Sequence, residues 1–319
     1  MKFNKPAKTF TEQLDLLMER GMQVPNREQA LSALAHISYY RLAAYWLPFE
    51  SSRAPHRFKE GTTFDQVLTR YDFDRALRLH LLDAIERLEI SFRTQWAYHM
   101  SLNYGPHGYT QNTQGLRKKE SRLKQDLEEL CKHIERSDEI FIKHYTAKYD
   151  EKLPPAWVSC EVMSLGLLSR LYSNLRAYKV RQAIAATYQV DESFLEGFLE
   201  HLTYVRNVCA HHNRLWNRHL TKKMPLPKGK PAGLRDNIHI DPEHKTEHRI
   251  YNTLVMIQHF KHITCPASRW AVKLNQLIQD HHINVQPMGF PTDWQSLPLW
   301  QEALKTASAQ KQHNNNKNG

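Results

Sequence analysis

Cysteine and glycine are scarce in this chain of 319 residues. The four cysteines stand far apart, at Cys131, Cys160, Cys209 and Cys265. No CxxC pair occurs among them, which argues against a disulfide framework or a zinc finger and favours reduced thiols buried as small apolar residues. Glycine occurs 11 times and proline 15 times. These numbers are too small for a turn-rich all-β architecture, so the composition predicts an all-α fold.

Long hydrophobic runs are also missing. No stretch approaches the roughly 20 apolar residues that a membrane-spanning helix needs. Residues 1–10 include basic side chains but are not followed by the apolar core of a signal peptide. We therefore expect a protein that is neither secreted nor inserted in a membrane, and that works in the cytoplasm without a membrane partner.

Positive charge is in excess over negative charge. The chain has 44 Lys and Arg residues against 33 Asp and Glu residues, a net charge of +11 with histidine neutral. That balance is expected of a protein whose partner carries phosphates, such as RNA, and a merely soluble basic protein is the alternative. The basic segment at residues 222–235 is a candidate RNA surface, and a solvated loop explains it equally well.

Apolar residues recur at helical spacing along most of the chain, and the longest such pattern runs from Phe64 to Met100. The predicted domains are an N-terminal helical extension at residues 1–61, a helical bundle at 62–220 with a charged helical insertion around 117–150, a basic loop with additional C-terminal helices at 221–306, and a disordered tail at 307–319. Within these domains, residues 50–61 are predicted to be a loop, and the charged insertion is expected to project from the body. One helix is expected over residues 155–175. Asp191 is expected to cap the helix that reaches Val205.

Residue types that carry catalysis crowd the segment 205–219, at the end of that last helix. Arg206 and His211 lie five positions apart, about 140° around an ideal helix. They can converge only if the helix ends or tightens between them, or if a second subunit supplies the partner.

Cleavage of RNA without a metal ion needs a base for the 2′-OH, an acid for the departing 5′-oxygen and a cation for the phosphorane. Histidine suits the first two roles because its ordinary pKa lies near neutrality. Arginine suits the third role because its planar fork binds two phosphate oxygens and keeps its proton. Asn207, beside Arg206, can orient either the histidine or the phosphate.

Six segments in a fixed order carry a resemblance to a known family. They are Tyr39-Tyr40-Arg41-Leu42, Tyr71-Asp72-Phe73-Asp74-Arg75, Ala84-Ile85-Glu86-Arg87-Leu88-Glu89, residues 157–168, Arg206-Asn207-Val208-Cys209-Ala210-His211 and residues 211–218. The fifth matches an Arg-polar-x3-His motif in full, and the likeness spans roughly residues 10–220. In these segments the chain resembles the AbiD/AbiF-type abortive-infection proteins (Abi-like family) of the HEPN superfamily.

The resemblance implies a HEPN-type helical bundle that forms a homodimer, with both copies of the motif in one cleft. It implies a metal-independent endoribonuclease that needs no cofactor and leaves 2′,3′-cyclic phosphate ends on RNA. Arg206 would stabilise the scissile phosphate, His211 would do acid-base work and Asn207 would position it. A toxin-like role in phage defence is also implied, restrained in some members by a structured noncoding RNA.

Three nearby residues are candidates for RNA binding or support. His212 and Arg214 can grip flanking phosphates, although a histidine at a helix C-terminus can instead satisfy the last carbonyls of the helix. Glu161 can form an ion pair with Arg206.

Two other functions stay open at this point. His211-His212-Asn213 can be interpreted as part of an HNH-like metal nuclease. That fold needs a β-hairpin before a helix, whereas the sequence here is helical without turn glycines, so we expect no metal site. The second alternative is a non-catalytic RNA-binding protein that sequesters a structured noncoding RNA.

Overall fold

The structure is a computed structural model that describes residue 2 and residues 6–111 and 119–305. Most of these residues are helical, which confirms the predicted all-α fold. The helices are α1 (Phe10–Glu19), α2 (Arg27–Ile37), α3 (Tyr39–Trp46), α4 (Phe64–Tyr104), α5 (Glu120–Glu135), α6 (Ile140–Lys148), α7 (Ala156–Val162), α8 (Leu165–Ser173), α9 (Tyr178–Thr187), α10 (Glu192–Ala210), α11 (Tyr251–Thr264) and α12 (Trp270–Asp280). Across the described ranges, no helix combines the length and the apolar character that a membrane span requires. The predicted tail at 307–319 lies outside the described residues, as do residues 117 and 118 of the insertion.

The chain divides into two compact units. The first unit comprises residues 1–78 and 276–283, and the second comprises residues 79–275 and 284–319. The sequence predicted domain boundaries after residues 61, 220 and 306, which differ from the boundaries of these two units. Those domain boundaries stay a prediction.

Local signals start the first helices as the sequence predicts. Thr9 Oγ1 accepts the N–H of Glu12 at 3.2 Å, and the Glu12 carboxylate accepts the N–H of Thr9 at 2.7 Å, which completes a capping box for α1. Gly21 follows α1 with a φ of +96°, a left-handed conformation that glycine adopts without strain. Asn26 caps α2 by accepting the N–H of Gln29 at 3.0 Å.

Residues 50–61, predicted to be a loop, contain a β-hairpin. Its strands β1 (Glu50–Arg53) and β2 (His56–Phe58) pair in antiparallel fashion. The buried Phe58 ring packs edge-on against Trp46, with the ring centroids 6.3 Å apart. The loop prediction was wrong because strands of four and three residues carry too little alternation of apolar and polar residues to be recognised.

Four buried aromatic rings hold α10 in the core of the second unit. Phe198 of α10 stacks on Phe260 of α11 with the centroids 4.8 Å apart. Phe92 of α4 packs edge-on against Phe260 at 5.6 Å and against Tyr188 at 4.8 Å. Aromatic pairs of this geometry contribute about 0.5–1.5 kcal/mol each beyond the burial of their area. The position of α10 against α4 and α11 is therefore tightly defined.

The charged insertion contains a pair of helices, α5 and α6. Helix α5 packs against α7 and α8. Its Asp126 carboxylate accepts from Arg170 of α8 at 2.7 Å, and Glu129 pairs with the same guanidinium. Leu123 and Leu130 of α5 are buried. The expectation that the whole insertion projects from the body was therefore wrong for α5.

The single helix predicted over residues 155–175 is interrupted between α7 and α8. Ser164 begins α8 as its N-cap, and its hydroxyl accepts the N–H of Leu167 at 3.2 Å. Arg93 of α4 donates to the carbonyl of Met163 at 2.5 Å, which satisfies an oxygen that the break leaves without a helical partner. The apolar spacing continues through the break, so periodicity alone could not detect it.

Candidate active site at the end of helix α10

Helix α10 carries the predicted catalytic residues at its C-terminal end. Asp191 occupies the N-cap position as expected, but in the described structure its side chain makes no capping hydrogen bond. The buried residues of α10 are Phe194, Leu195, Phe198, Leu199, His201, Leu202, Val205, Val208 and Cys209. Burial of this face up to the last turn leaves Asn207 and His211 exposed, with Arg206 half-buried. The core thus turns the three residues of the motif toward solvent.

A tight turn ends α10 immediately after the motif. His212 has a φ of +58° and donates its N–H to the Cys209 carbonyl at 3.1 Å, while Asn213 donates to the Val208 carbonyl at 3.0 Å. These two bonds form a Schellman motif with His212 at the left-handed position that glycine usually takes. A side chain there costs about 1–2 kcal/mol in backbone conformation. Strained positions of this kind cluster at functional sites.

Asn207 is central among the three residues of the motif. Arg206 Nη1 donates to Asn207 Oδ1 at 3.3 Å. His211 follows Asn207 by four positions and donates its backbone N–H to the Asn207 carbonyl at 3.0 Å, so the two side chains share one face of the helix. The amide of Asn207 can therefore bridge the guanidinium and the imidazole, as the interpretation of Asn207 as a positioning residue requires.

Arg206 and His211 are not brought together by a change in the helix. Helix α10 continues through Ala210, and His211 still makes the backbone bond of a regular helical turn. The two residues therefore remain about 140° apart around the helix axis. Among the described residues no hydrogen bond joins the two side chains, and convergence through a second copy of the chain stays a prediction.

Arg214, predicted to bind flanking phosphates, contributes to the turn that follows α10. Its Nη1 donates to the Trp216 carbonyl at 3.2 Å, and its own carbonyl accepts from Arg218 Nη1 at 3.2 Å. Leu215 and Trp216 are buried between these arginines. Arg214 is therefore half-buried and anchored to the backbone, whereas His212 is exposed.

Glu161, predicted to pair with Arg206, is exposed on α7. Its backbone carbonyl accepts from Arg93 Nη1 at 3.2 Å, and its carboxylate lies 3.8 Å from the Cys160 thiol. Among the residues that the structure describes, Glu161 forms no ion pair with Arg206. The proposed pairing was therefore wrong in this structure. The acid that balances Arg93 is Glu89, at 2.5 Å.

The start of α8 lies in close contact with α10 near the site, which the sequence interpretation missed. A Cβ atom added to Gly166 would lie 3.4 Å from Thr203 Cγ2 on α10. Thr203 precedes Asn207 by one helical turn and shares its face. The signal that could have found this contact is the single glycine inside an otherwise regular apolar helix pattern, which often marks close packing.

The basic segment after α10 is partly neutralised. Lys222 pairs with Glu200, and Lys223 lies 3.6 Å from Glu247. The ring of His219 stacks on His248 at 4.5 Å. Partial burial and the positive charges of His248, Arg249 and Lys245 together hold the pKa of His219 below its usual value, so this imidazole is less cationic than an isolated one.

In the described ranges, no group of three or more His, Cys, Asp or Glu side chains is arranged to bind a metal ion. The triplet His211-His212-Asn213 follows α10 directly, without the preceding β-hairpin that an HNH-like site needs. Of the four cysteines, Cys160 and Cys209 are buried and the other two are partly exposed. Burial raises the pKa of the Cys160 thiol to about 12.

Comparison with known proteins identifies the family. The family model of the Abi-like proteins matches residues 32–217, more than half of the chain. No curated protein and no solved structure matches the chain. The matched region begins in α2 and ends just beyond α10, so it includes Arg206, Asn207 and His211. The chain belongs to the Abi-like protein family.

Proposed function

We propose that this Abi-like protein is a metal-independent, HEPN-type endoribonuclease that acts as a toxin in phage defence. Membership of the Abi-like family suggests abortive infection as the biological role. The observation that carries the nuclease assignment is the linked, solvent-facing set of Arg206, Asn207 and His211 at the end of α10. The proposed location is the cytoplasm, where RNA substrates are abundant.

The proposed reaction uses the 2′-OH of the substrate as its nucleophile. A neutral imidazole removes the 2′-OH proton while the oxygen attacks the adjacent phosphorus, and a protonated imidazole delivers a proton to the departing 5′-oxygen. Arg206 stabilises the charge that develops on the phosphorane oxygens. The products are a 2′,3′-cyclic phosphate and a free 5′-OH.

Two imidazoles in opposite protonation states are supplied most simply by two copies of His211, one from each subunit of a homodimer. The angle between Arg206 and His211 supports the same arrangement, because a partner subunit can place its own residue in the gap. An exposed apolar groove offers a surface for the second copy: Tyr98, Leu102 and Trp157 line it and are each more than half exposed.

The proposed substrate is single-stranded or loop RNA. In-line attack by a 2′-oxygen needs a sugar and phosphate that can leave A-form geometry, which a duplex resists. A structured noncoding RNA is a proposed second partner that restrains the activity. The exposed His212 and the turn held by Arg214 are proposed to contact phosphates that flank the cleavage point.

The first experiment is cleavage of a labelled total RNA pool in the presence of EDTA. Wild type is compared with Arg206→Ala and His211→Ala, and with the exposed-site controls Arg176→Ala and His144→Ala. We expect cyclic-phosphate ends from wild type and both controls. Loss of an imidazole or of the phosphate-binding cation should lower the rate by roughly 10²–10⁴-fold.

Two results would contradict the nuclease. Activity of His211→Ala equal to wild type would remove the motif from the reaction. Absence of cleavage by wild type, with RNA still bound after purification, would favour the non-catalytic RNA-binding alternative. In that case binding should weaken steeply with salt for wild type and His211→Ala alike, because both retain the phosphate contacts.

A further inference from the structure

A small cavity lies in the second unit, away from the motif in sequence. Its volume is about 250 Å³. The walls come from the last turns of α11, from the turn at residues 265–269, and from Leu299 and neighbouring residues near the C-terminal end of the described chain.

Two buried polar side chains of α11 face this cavity. Lys261 is 2% exposed and Gln258 is 7% exposed, and both line the cavity. They lie three positions apart, so they share one face of the helix. Neither side chain makes a hydrogen bond or an ion pair with another described residue. Both side chains line the cavity, so a ligand inside it can supply the hydrogen-bond partners that the described residues do not.

Positive charge outnumbers negative charge among the charged neighbours of Lys261. Burial holds the pKa of the Lys261 ammonium below its usual value; the negative charge of Asp83 opposes this effect, and the positive charges of Arg87 and Lys273 add to it. Burial of a cation among further cations disfavours the folded state unless a ligand supplies negative charge. The site is therefore prepared for an anion.

Two residues that precede α12 add polar groups to the same cavity. Ser268 and Arg269 both line it, and Arg269 is exposed. The Ser268 hydroxyl also accepts the N–H of Trp270 at 3.3 Å. Glu302 also lines the cavity, as an exposed acid.

We infer that this cavity binds the phosphate group of a small phosphorylated molecule, with Lys261 and Gln258 as the binding residues. A phosphate offers several acceptor oxygens, which match the ammonium of Lys261, the amide N–H of Gln258 and the guanidinium of Arg269. The volume lies below the roughly 300–1,000 Å³ of pockets for drug-sized ligands, so it admits the phosphate with at most a small attached group inside. This inference does not depend on the proposed nuclease activity.

The test is calorimetric titration of the full chain with inorganic phosphate and, separately, with adenosine monophosphate. The protein carries Arg206→Ala throughout, so that phosphate binding at the motif does not contribute. Lys261→Met and Gln258→Leu are compared with Lys179→Met, which removes an exposed lysine of α9. Thermal unfolding of each protein is recorded with and without ligand.

We expect at least tenfold weaker binding for Lys261→Met and Gln258→Leu, and no change for Lys179→Met. Without ligand, Lys261→Met should unfold at the same temperature as its parent or higher, because it removes a buried unpaired charge. Tighter binding of adenosine monophosphate would identify a nucleotide as the source of the phosphate, and equal binding would identify the free ion. Failure of the parent to bind either probe, or unchanged binding by both cavity variants, would overturn the inference.

Discussion

His201 is a fully buried histidine on the inner side of α10. Its Nδ1 lies 3.1 Å from the Lys222 carbonyl, to which it donates, so Nε2 accepts from the Thr253 hydroxyl at 2.8 Å. Burial lowers the pKa of this imidazole from 6.5 to about 4, and the nearby charge of Lys222 adds to the effect. The folded protein therefore holds His201 neutral under conditions in which the unfolded chain would protonate it.

This difference predicts a loss of stability in mild acid. Above pH 6.5 both states are neutral and the contribution is complete, whereas between pH 6.5 and 4 only the unfolded state binds the proton. From pH 7 to pH 5, His201 alone should lower the free energy of unfolding by about 2 kcal/mol. Urea unfolding at pH 7 and pH 5 measures this loss of free energy in wild type, in His201→Asn and in the exposed control His144→Asn. A loss in His201→Asn as large as in wild type would contradict the assignment.

A buried ion pair within α4 accepts a hydrogen bond from Tyr45 of α3 in the first unit. The Tyr45 hydroxyl donates to Asp74 Oδ2 at 2.6 Å, and Arg78, one helical turn after Asp74, pairs with the same oxygen. The side chains of Asp74 and Arg78 are 0% and 6% exposed. Burial and the adjacent carboxylate raise the pKa of Tyr45, so its hydroxyl remains a donor at all ordinary pH values.

Removing the cation from this pair should destabilise the first unit strongly. Arg78→Ala removes the cation that pairs with the buried Asp74 carboxylate, and we expect the free energy of unfolding to fall by about 3–5 kcal/mol. Arg75→Ala, on the exposed side of the same helix, should change it by no more than about 0.5 kcal/mol. Denaturant unfolding measures both variants. Equal effects of the two substitutions would mean that the ion pair does not stabilise the first unit.

At the scale of the whole molecule, the proposed nuclease depends on a second copy. If each cleavage event uses His211 from both subunits, one as base and one as acid, a mixed dimer of wild-type and His211→Ala subunits keeps only one of the two imidazoles. Its rate should therefore fall by roughly 10²–10⁴-fold, and not merely to half of the wild-type rate, given the single shared cleft of a two-fold assembly.

The control for this prediction is a mixed dimer of wild-type and His144→Ala subunits, which keeps both copies of His211 and should remain active. Differently tagged subunits allow the mixed dimer to be purified before its rate is measured. A mixed dimer of wild-type and His211→Ala subunits that retains half of the wild-type rate would show that the two copies of His211 do not act in one cleft.

Most of the helical architecture could be predicted because its causes are local. The capping residues Thr9 and Asn26 act within one turn, and the apolar spacing after Phe64 repeats every three or four residues along α4. The hairpin of β1 and β2 could not be predicted, because it is stabilised by the packing of Phe58 against Trp46, which lies outside the hairpin.

Some features of the candidate site could likewise be predicted from local sequence, and others could not. The identity and order of Arg206, Asn207 and His211 could be predicted because the family motif resides in adjacent residues. The folded chain was needed to show that Asn207 and His211 are exposed, that Glu161 forms no ion pair with Arg206, and that Lys261 is buried beside a cavity. Exposure, pairing and desolvation are set by residues far apart in the chain, which no local pattern encodes.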